Sequence, residues 1–168
     1  DVDPQAAKEI HSNNVKRVIR ALEFYRQTGQ RISEHNERER KKESPYEFRY
    51  FVLNDDREKL YERINQRVDQ MMEEGLLEEV KRLKDMGYTR NLVSMQGLGY
   101  KEILAYLDGE CSLEDAVYMI KRDTRHFAKR QITWFKRERQ VIWLNKKDYD
   151  YDEEKILKAM LSYMEGIV

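Results

Sequence analysis

Between Lys121 and Gln140 the sequence carries Lys121, Arg122, Arg125, Lys129, Arg130, Lys136, Arg137 and Arg139 against only Asp123 and Glu138. Clustered cations of this kind can form an anion-binding face. At the α-helical repeat, Arg122, Arg125, Lys129 and Lys136 fall within roughly 60° of one another, with Tyr118 and Thr133 beside them. Leu113, Ala116, Val117, Ile120, Phe127, Trp134 and Phe135 gather on the other side, so the segment reads as a helix that buries one face. Like charges one turn apart destabilise a helix by a few tenths of a kcal/mol unless an anion answers them. A phosphate backbone would answer them, and binding would then depend on salt. The same row also fits a merely solvated outer face, which is what charge runs usually are. Trp134 and Phe135 are expected in the core rather than as base-stacking platforms.

The helix bearing this row starts at Ser112-Leu113-Glu114-Asp115, similar to a capping box with Asp in the last place, and is expected to run to about Arg139. Ahead of it, Met95-Gln96-Gly97-Leu98-Gly99-Tyr100 predicts a glycine-containing loop that leads into a short helix ending at Asp108-Gly109. Further upstream, Leu60, Ile64, Val68 and Met71 share one face of a helix that begins at Asp55 or Asp56 and stops near Gly75. Leu76 to Met86 is the next helix, closed by Gly87. Phe48 to Leu53 is rich in aromatic and branched residues between Pro45 and Asn54-Asp55, which predicts a strand. Its partner is expected at Val141-Ile142-Trp143-Leu144. Two short strands so far apart predict the edge of a sheet whose remainder lies elsewhere, and hence an incomplete chain. At the start, Asp3-Pro4 and Asn13-Asn14 read as helix starts, the second running to Thr28-Gly29. Residues 33–45 are charged without apolar period and are expected as an exposed linker or a frayed helix.

The chain has 168 residues, enough for one ordinary domain or two small pieces. Its 32 basic residues equal its 32 acidic ones. That neutrality hides the basic segment and an acidic tail, Asp148, Asp150, Asp152, Glu153, Glu154 and Glu165 against Lys155 and Lys158. Such a tail could fold back on the basic helix and compete weakly with an anionic partner. No apolar run reaches the ~18–20 residues that span a bilayer, and Asp-Val-Asp-Pro does not begin a signal peptide. One cysteine, Cys111, excludes an internal disulfide, and with three scattered histidines it gives no zinc pattern. His11, His35 and His126 are expected to be structural or exposed, and the cytoplasm is the expected address.

Several stretches together resemble one family. Thr124-Arg125-His126-Phe127-Ala128-Lys129-Arg130-Gln131-Ile132-Thr133-Trp134-Phe135 is similar to the signature of the bacterial tRNA dimethylallyltransferases, or tRNA isopentenyltransferases. So are Met95 to Glu102, Arg17-Val18-Ile19-Arg20-Ala21-Leu22-Glu23 and the stretch from Tyr61 to Met71, in the family's order. The resemblance implies transfer of a dimethylallyl group from dimethylallyl diphosphate to N6 of the adenosine 3′ to the anticodon. It implies Mg2+ and a nucleotide-binding (ATP-binding) P-loop-type α/β core with an inserted helical domain. The expected fold is therefore mainly α with two short β-strands, a fragment of that core plus part of the helical insert. Residues 1–45 would belong to the insert and 46–168 to the core.

The family's phosphate-binding glycine loop and catalytic aspartate are expected outside this sequence, which has no Gly-x-x-x-x-Gly-Lys-Ser/Thr. The chain alone is thus expected to be inactive, to hold no metal ligands and to be a monomer away from membranes, with the tRNA anticodon stem-loop as partner. By the resemblance, Arg67 matches the catalytic arginine facing the diphosphate, and Arg63, one turn earlier, is a second candidate. Three patches would contact tRNA: Lys16, Arg17 and Arg20; Gln96, Gly97, Gly99, Tyr100 and Lys101; and Arg125, Lys129, Arg130, Gln131, Thr133, Trp134 and Lys136. At Lys136 relatives commonly have arginine, so the charge stays but the bidentate fork is lost. A non-enzymatic helical RNA-binding module and a helical scaffold domain are the competing readings.

Overall fold

The computed structural model describes residues 1–138 and 140–164. Arg139 of the basic segment and Glu165 of the acidic tail lie outside the described residues. The chain separates into two compact units, Asp1–Glu47 and Phe48–Val168.

The first unit consists of α1 (Pro4–Glu9), α2 (Val15–Thr28) and α3 (Ile32–Lys41). One carboxylate organises it. Asp3 accepts the Ala6 N–H at 2.9 Å as the α1 cap, and also the Ser33 N–H at 3.0 Å and Ser33 Oγ–H at 2.7 Å. Helix α2 ends where Gly29 takes the left-handed conformation at φ 69°. Helix α3 covers most of the stretch expected as an exposed linker or a frayed helix, and of the two it takes the helix, with no residue buried. It lacks an apolar stripe, yet ion pairs Arg31–Glu34, Glu37–Lys41 and Glu39–Lys42 run along it, and basic residues occupy its last turn.

In the second unit, β1 (Tyr50–Asn54) pairs in parallel with β2 (Val141–Asn145), Tyr50 opposite Val141 and Asn54 opposite Asn145. Parallel strands need a long crossover, and here it consists of α4 (Arg57–Glu73), α5 (Leu76–Asp85), α6 (Tyr100–Leu107) and α7 (Leu113–Phe135). A 3-10 turn, Val93–Gln96, precedes α6. The core lies among these helices: Val68 from α4, Leu76 and Val80 from α5, Met95, Ile103 and Leu104, and Ala116 and Ile120 from α7. Helix α8 (Glu153–Ser162) follows β2 and buries Ile156. No helix among the described residues is long and apolar enough to cross a membrane.

Two expectations for α7 are corrected. The helix ends at Phe135 rather than near Arg139, because the chain must turn there to lay Val141 beside Tyr50, and Phe135 meets the Tyr50 ring edge-on at 6.0 Å. Phe127 and Trp134, expected on the buried face, are 44% and 54% exposed. Only Ala116 and Ile120, in the N-terminal half of α7, are fully enclosed by the helical core. The C-terminal half has the sheet beside Phe135 and no cover over Trp134 among the described residues.

Candidate nucleic-acid interface and anion groove

The exposed end of α7 forms the first element of the site. His126, Lys129, Arg130, Thr133, Trp134 and Arg137 line an open recess of 480 Å³. The Arg130 guanidinium lies 5.7 Å from the centre of the Phe127 ring. Trp134 stacks edge-on to Phe135 at 5.2 Å, which fixes its indole while leaving one face open. Lys136 is the C-cap of α7, on the turn rather than in the helical row. Gln131 faces the other way and helps line a 160 Å³ recess at the ends of β1 and β2.

The N-terminal part of the cationic row is already engaged. Arg125 donates to Asn65 Oδ1 at 2.6 Å, and Lys121 pairs with Asp69 at 2.6 Å. These two contacts, one helical turn apart on both α4 and α7, brace the helices against each other. Arg122 pairs with its neighbour Asp123 at 2.8 Å, and that hydrogen bond holds the Asp123 carboxyl below its ordinary range.

Between α4 and α7 runs an open groove of 650 Å³. Leu60, Ile64, Val68, Met71, Leu98 and Ile120 give it apolar walls, while Arg63 and Arg67 stand at its rim. Both arginines project from one face of α4. Arg67 is 3.2 Å from Glu74, and Arg63 is 3.8 Å from Asp55. An apolar floor with two guanidinium groups at its edge suits a ligand with a hydrocarbon part and an anionic head.

The glycine loop borders this groove through Leu98. Gly99 has φ 96°, a conformation only glycine adopts readily, and a Cβ there would meet Leu76 Cδ2 at 3.7 Å. The buried Glu102 carboxylate reaches back to accept the Gly99 N–H at 2.9 Å. Lys101 Nζ lies 3.2 Å from the other oxygen of Glu102. Tyr100 donates its hydroxyl to Glu79, and this hydrogen bond, with burial, pushes the phenol pKa up. Tyr100 is thereby turned toward α5, whereas Gln96 and Gly97 remain exposed.

In the first unit Lys16, Arg17 and Arg20 all lie exposed on α2. His11 accepts the Asn13 N–H at 3.2 Å, and His35 packs on Phe24 at 4.9 Å. Sequence reasoning gave no site role to Asn65, Asp69, Glu79, Glu102 or Asp55. Of these Asp55 was read as a possible helix start, and Glu102 had a local signal in its place three residues after Gly99 at another. No group of three or more His, Cys, Asp or Glu able to hold a metal occurs among the described residues.

Cationic recess, braced helices and two-arginine groove all lie in the second unit, a concentration of cations of the kind that can meet anionic ligands. The chain belongs to the IPP transferase family, whose profile matches residues 1–138. It is 67% identical to a tRNA dimethylallyltransferase of Lachnoclostridium phytofermentans over 96% of this chain and 51% of that protein. To the tRNA dimethylallyltransferase of Acetivibrio thermocellus it is 54% identical over 98% of this chain and 52% of the relative. Among solved structures it resembles a tRNA isopentenylpyrophosphate transferase from Staphylococcus epidermidis, with TM-score 0.70 and 38% identity over 98% of this chain and 53% of the other. The chain thus spans about half the length of the curated relatives it matches.

Proposed function

We propose that this chain forms the tRNA-gripping and diphosphate-side portion of a tRNA dimethylallyltransferase. The reaction moves the dimethylallyl group of dimethylallyl diphosphate onto N6 of the adenosine 3′ to the anticodon. As the carbon–oxygen bond of the donor breaks, negative charge grows on the bridging oxygen of the diphosphate. Arg67 is the residue assigned to meet that charge, with Arg63 beside it, because a guanidinium stays protonated and donates two hydrogen bonds at once. The amine nitrogen forms the new bond to carbon and loses a proton, and diphosphate leaves. The prenyl carbons would lie along the apolar wall of the groove.

The observation that carries this reading is the adjacency within one unit of the arginine-rimmed groove and the exposed cationic end of α7. Lys129, Arg130 and Lys136 would hold phosphates, Thr133 would hydrogen-bond to them, and Trp134 would take a base. Arg125 and Gln131 would support this surface from the α4 and sheet sides. Gln96, Gly97, Gly99, Tyr100 and Lys101 form the second tRNA patch, with backbone exposed at Gly97. Lys16, Arg17 and Arg20 form the third, in a segment, residues 1–45, assigned to the helical insert, with 46–168 assigned to the core. Extracting an unstacked loop base fits this division between phosphate clamps and planar side chains. Mg2+ would act with the diphosphate in the whole enzyme. The protein is assigned to the cytoplasm as a monomer.

The test is binding of the chain to an anticodon stem-loop with adenosine after the anticodon, over a salt series, followed by transfer with the rest of a relative supplied. Salt-dependent binding that needs the adenosine, with activity only on complementation, supports the assignment. Binding indifferent to that adenosine points instead to a non-enzymatic helical RNA-binding module, for which the α7 recess alone would suffice. Turnover by the chain alone would overturn the division of labour.

A further inference from the structure

We propose that Tyr151 is a positioning residue for Arg63, acting through the buried carboxylate of Asp55. The inference rests on the reading of Arg63 as a diphosphate-side arginine.

Asp55 follows β1 directly, and its side chain is only 5% exposed. Its two oxygens have different duties. Oδ1 accepts the Tyr151 hydroxyl at 3.0 Å and the Asp56 N–H at 2.8 Å, while Oδ2 faces the Arg63 guanidinium at 3.8 Å. The carboxylate is therefore pinned through one oxygen while the other stays on the Arg63 side. A carboxylate so enclosed cannot swing into water, so the cation it faces has a fixed electrostatic partner. Arg67 differs, since its partner Glu74 is itself half exposed.

Tyr151 is in turn held by more than one contact. The Lys59 ammonium sits 3.9 Å over its ring, and its N–H donates to Lys146 O at 3.0 Å. Lys147 pairs with Asp56 at 3.1 Å, fastening the same turn to the start of α4. Asp150 and Tyr151 are both left-handed, with φ 55° and 61°. A bulky residue is rarely found there, and such backbone persists where the surroundings over-determine it. This turn lies beyond residue 138, where the family match ends. The tail after β2 thus reaches back to the helix that carries both arginines.

Tyr151→Phe removes the hydroxyl while keeping the ring under Lys59. In the labelled full chain, the Arg63 Nε–Hε order parameter is expected to fall, with the thermal midpoint and the backbone order of residues 55–63 unchanged. Inorganic pyrophosphate is expected to bind Tyr151→Phe several-fold more weakly, and the same substitution is expected to have no further effect in an Arg63→Ala background. Asp55→Asn, which keeps the shape and removes the charge, is expected to reproduce both effects and serves where Tyr151→Phe disturbs the turn. Unchanged Arg63 order in both variants, or an equal pyrophosphate effect with and without Arg63, overturns the proposal. If Arg63→Ala binds pyrophosphate as well as the wild type, the donor-side reading of Arg63 falls and this inference with it. If Arg63→Ala weakens binding but Tyr151→Phe and Asp55→Asn do not, only this inference falls.

Discussion

Replacing Glu102 by alanine is expected to destabilise the second unit far more than replacing it by glutamine. Glu102 is 4% exposed, and one of its oxygens accepts the N–H of Gly99, itself buried against Leu76. Alanine leaves that N–H without its partner, which costs about 1–3 kcal/mol. Losing the buried part of the side chain adds about 1 kcal/mol, so a total of ~2–4 kcal/mol is expected. Glutamine keeps an acceptor in the same place and loses only the charge assistance, roughly 1 kcal/mol. Trp134 and Trp143 are the only tryptophans and both lie in the second unit, so their fluorescence in urea reports on that unit. With urea slopes of about 1–3 kcal/mol per molar, the alanine variant should unfold roughly 1 M or more below the wild type. Equal losses for alanine and glutamine would refute the reasoning, because the acceptor would then not be what the loop needs. A loss under ~0.5 kcal/mol for alanine would refute it too, since the N–H would cost less unpartnered than burial requires.

Lys129→Ala should weaken stem-loop binding and reduce the slope of log K against log salt by about 0.7–0.9, the signature of one phosphate contact. Arg125→Ala should instead cost about 1–2 kcal/mol of stability for the lost bond to Asn65, read as a lower urea midpoint, and an unchanged midpoint would contradict the bracing role. Trp134→Ala should leave the thermal midpoint in place but cost about 1–3 kcal/mol of RNA binding if a base stacks there, as isothermal titration would measure. Asp108 is held below the ordinary carboxyl range by its hydrogen bond to Lys84 and by the charges of Lys84 and Arg90. Its stabilising effect is therefore full above the unfolded carboxyl pKa and disappears as pH falls through the depressed folded value. Urea midpoints between pH 7 and pH 2.5 should fall less steeply for Asp108→Asn than for the wild type, and parallel curves would exclude the effect.

Elements with local punctuation were legible in the sequence. Asp3 with Pro4, the Gly29 stop, the Asp56 start and the Ser112 cap each carry a short-range signal, and the structure places helix ends there. At Ser112 the detail differs, since Asp115 accepts the Ser112 hydroxyl rather than reaching back to its N–H. The strands were legible by composition, and Val141 to Leu144 does pair with Tyr50 to Leu53. What escaped depends on distant partners. Helix α3 is anchored by an aspartate 30 residues away, and no periodicity announces it. The row on α7 looked uniform on a helical wheel, yet Arg125 meets Asn65, 60 residues earlier. The wheel also assigned Phe127 and Trp134 to the core by angle alone, whereas their burial depends on what stands opposite that half of the helix.

The two groove arginines illustrate how burial can divide labour between like residues. Arg63 and Arg67 lie one turn apart on α4, each beside a carboxylate, so spacing alone makes them equivalent. Their partners are not. Asp55 is enclosed and tied to Tyr151, while Glu74 sits at the exposed end of α4 and also accepts from Gln70. An exposed ion pair contributes about 0–1 kcal/mol, so an incoming diphosphate can replace Glu74 at Arg67 at little cost. At Arg63 the partner carboxylate is enclosed and held by Tyr151 and the Asp56 N–H, so it stays in place whatever the exposed guanidinium meets. On the proposed donor-side reading, Arg67 would be the guanidinium free to follow developing charge, and Arg63 the one that keeps its place beside Asp55.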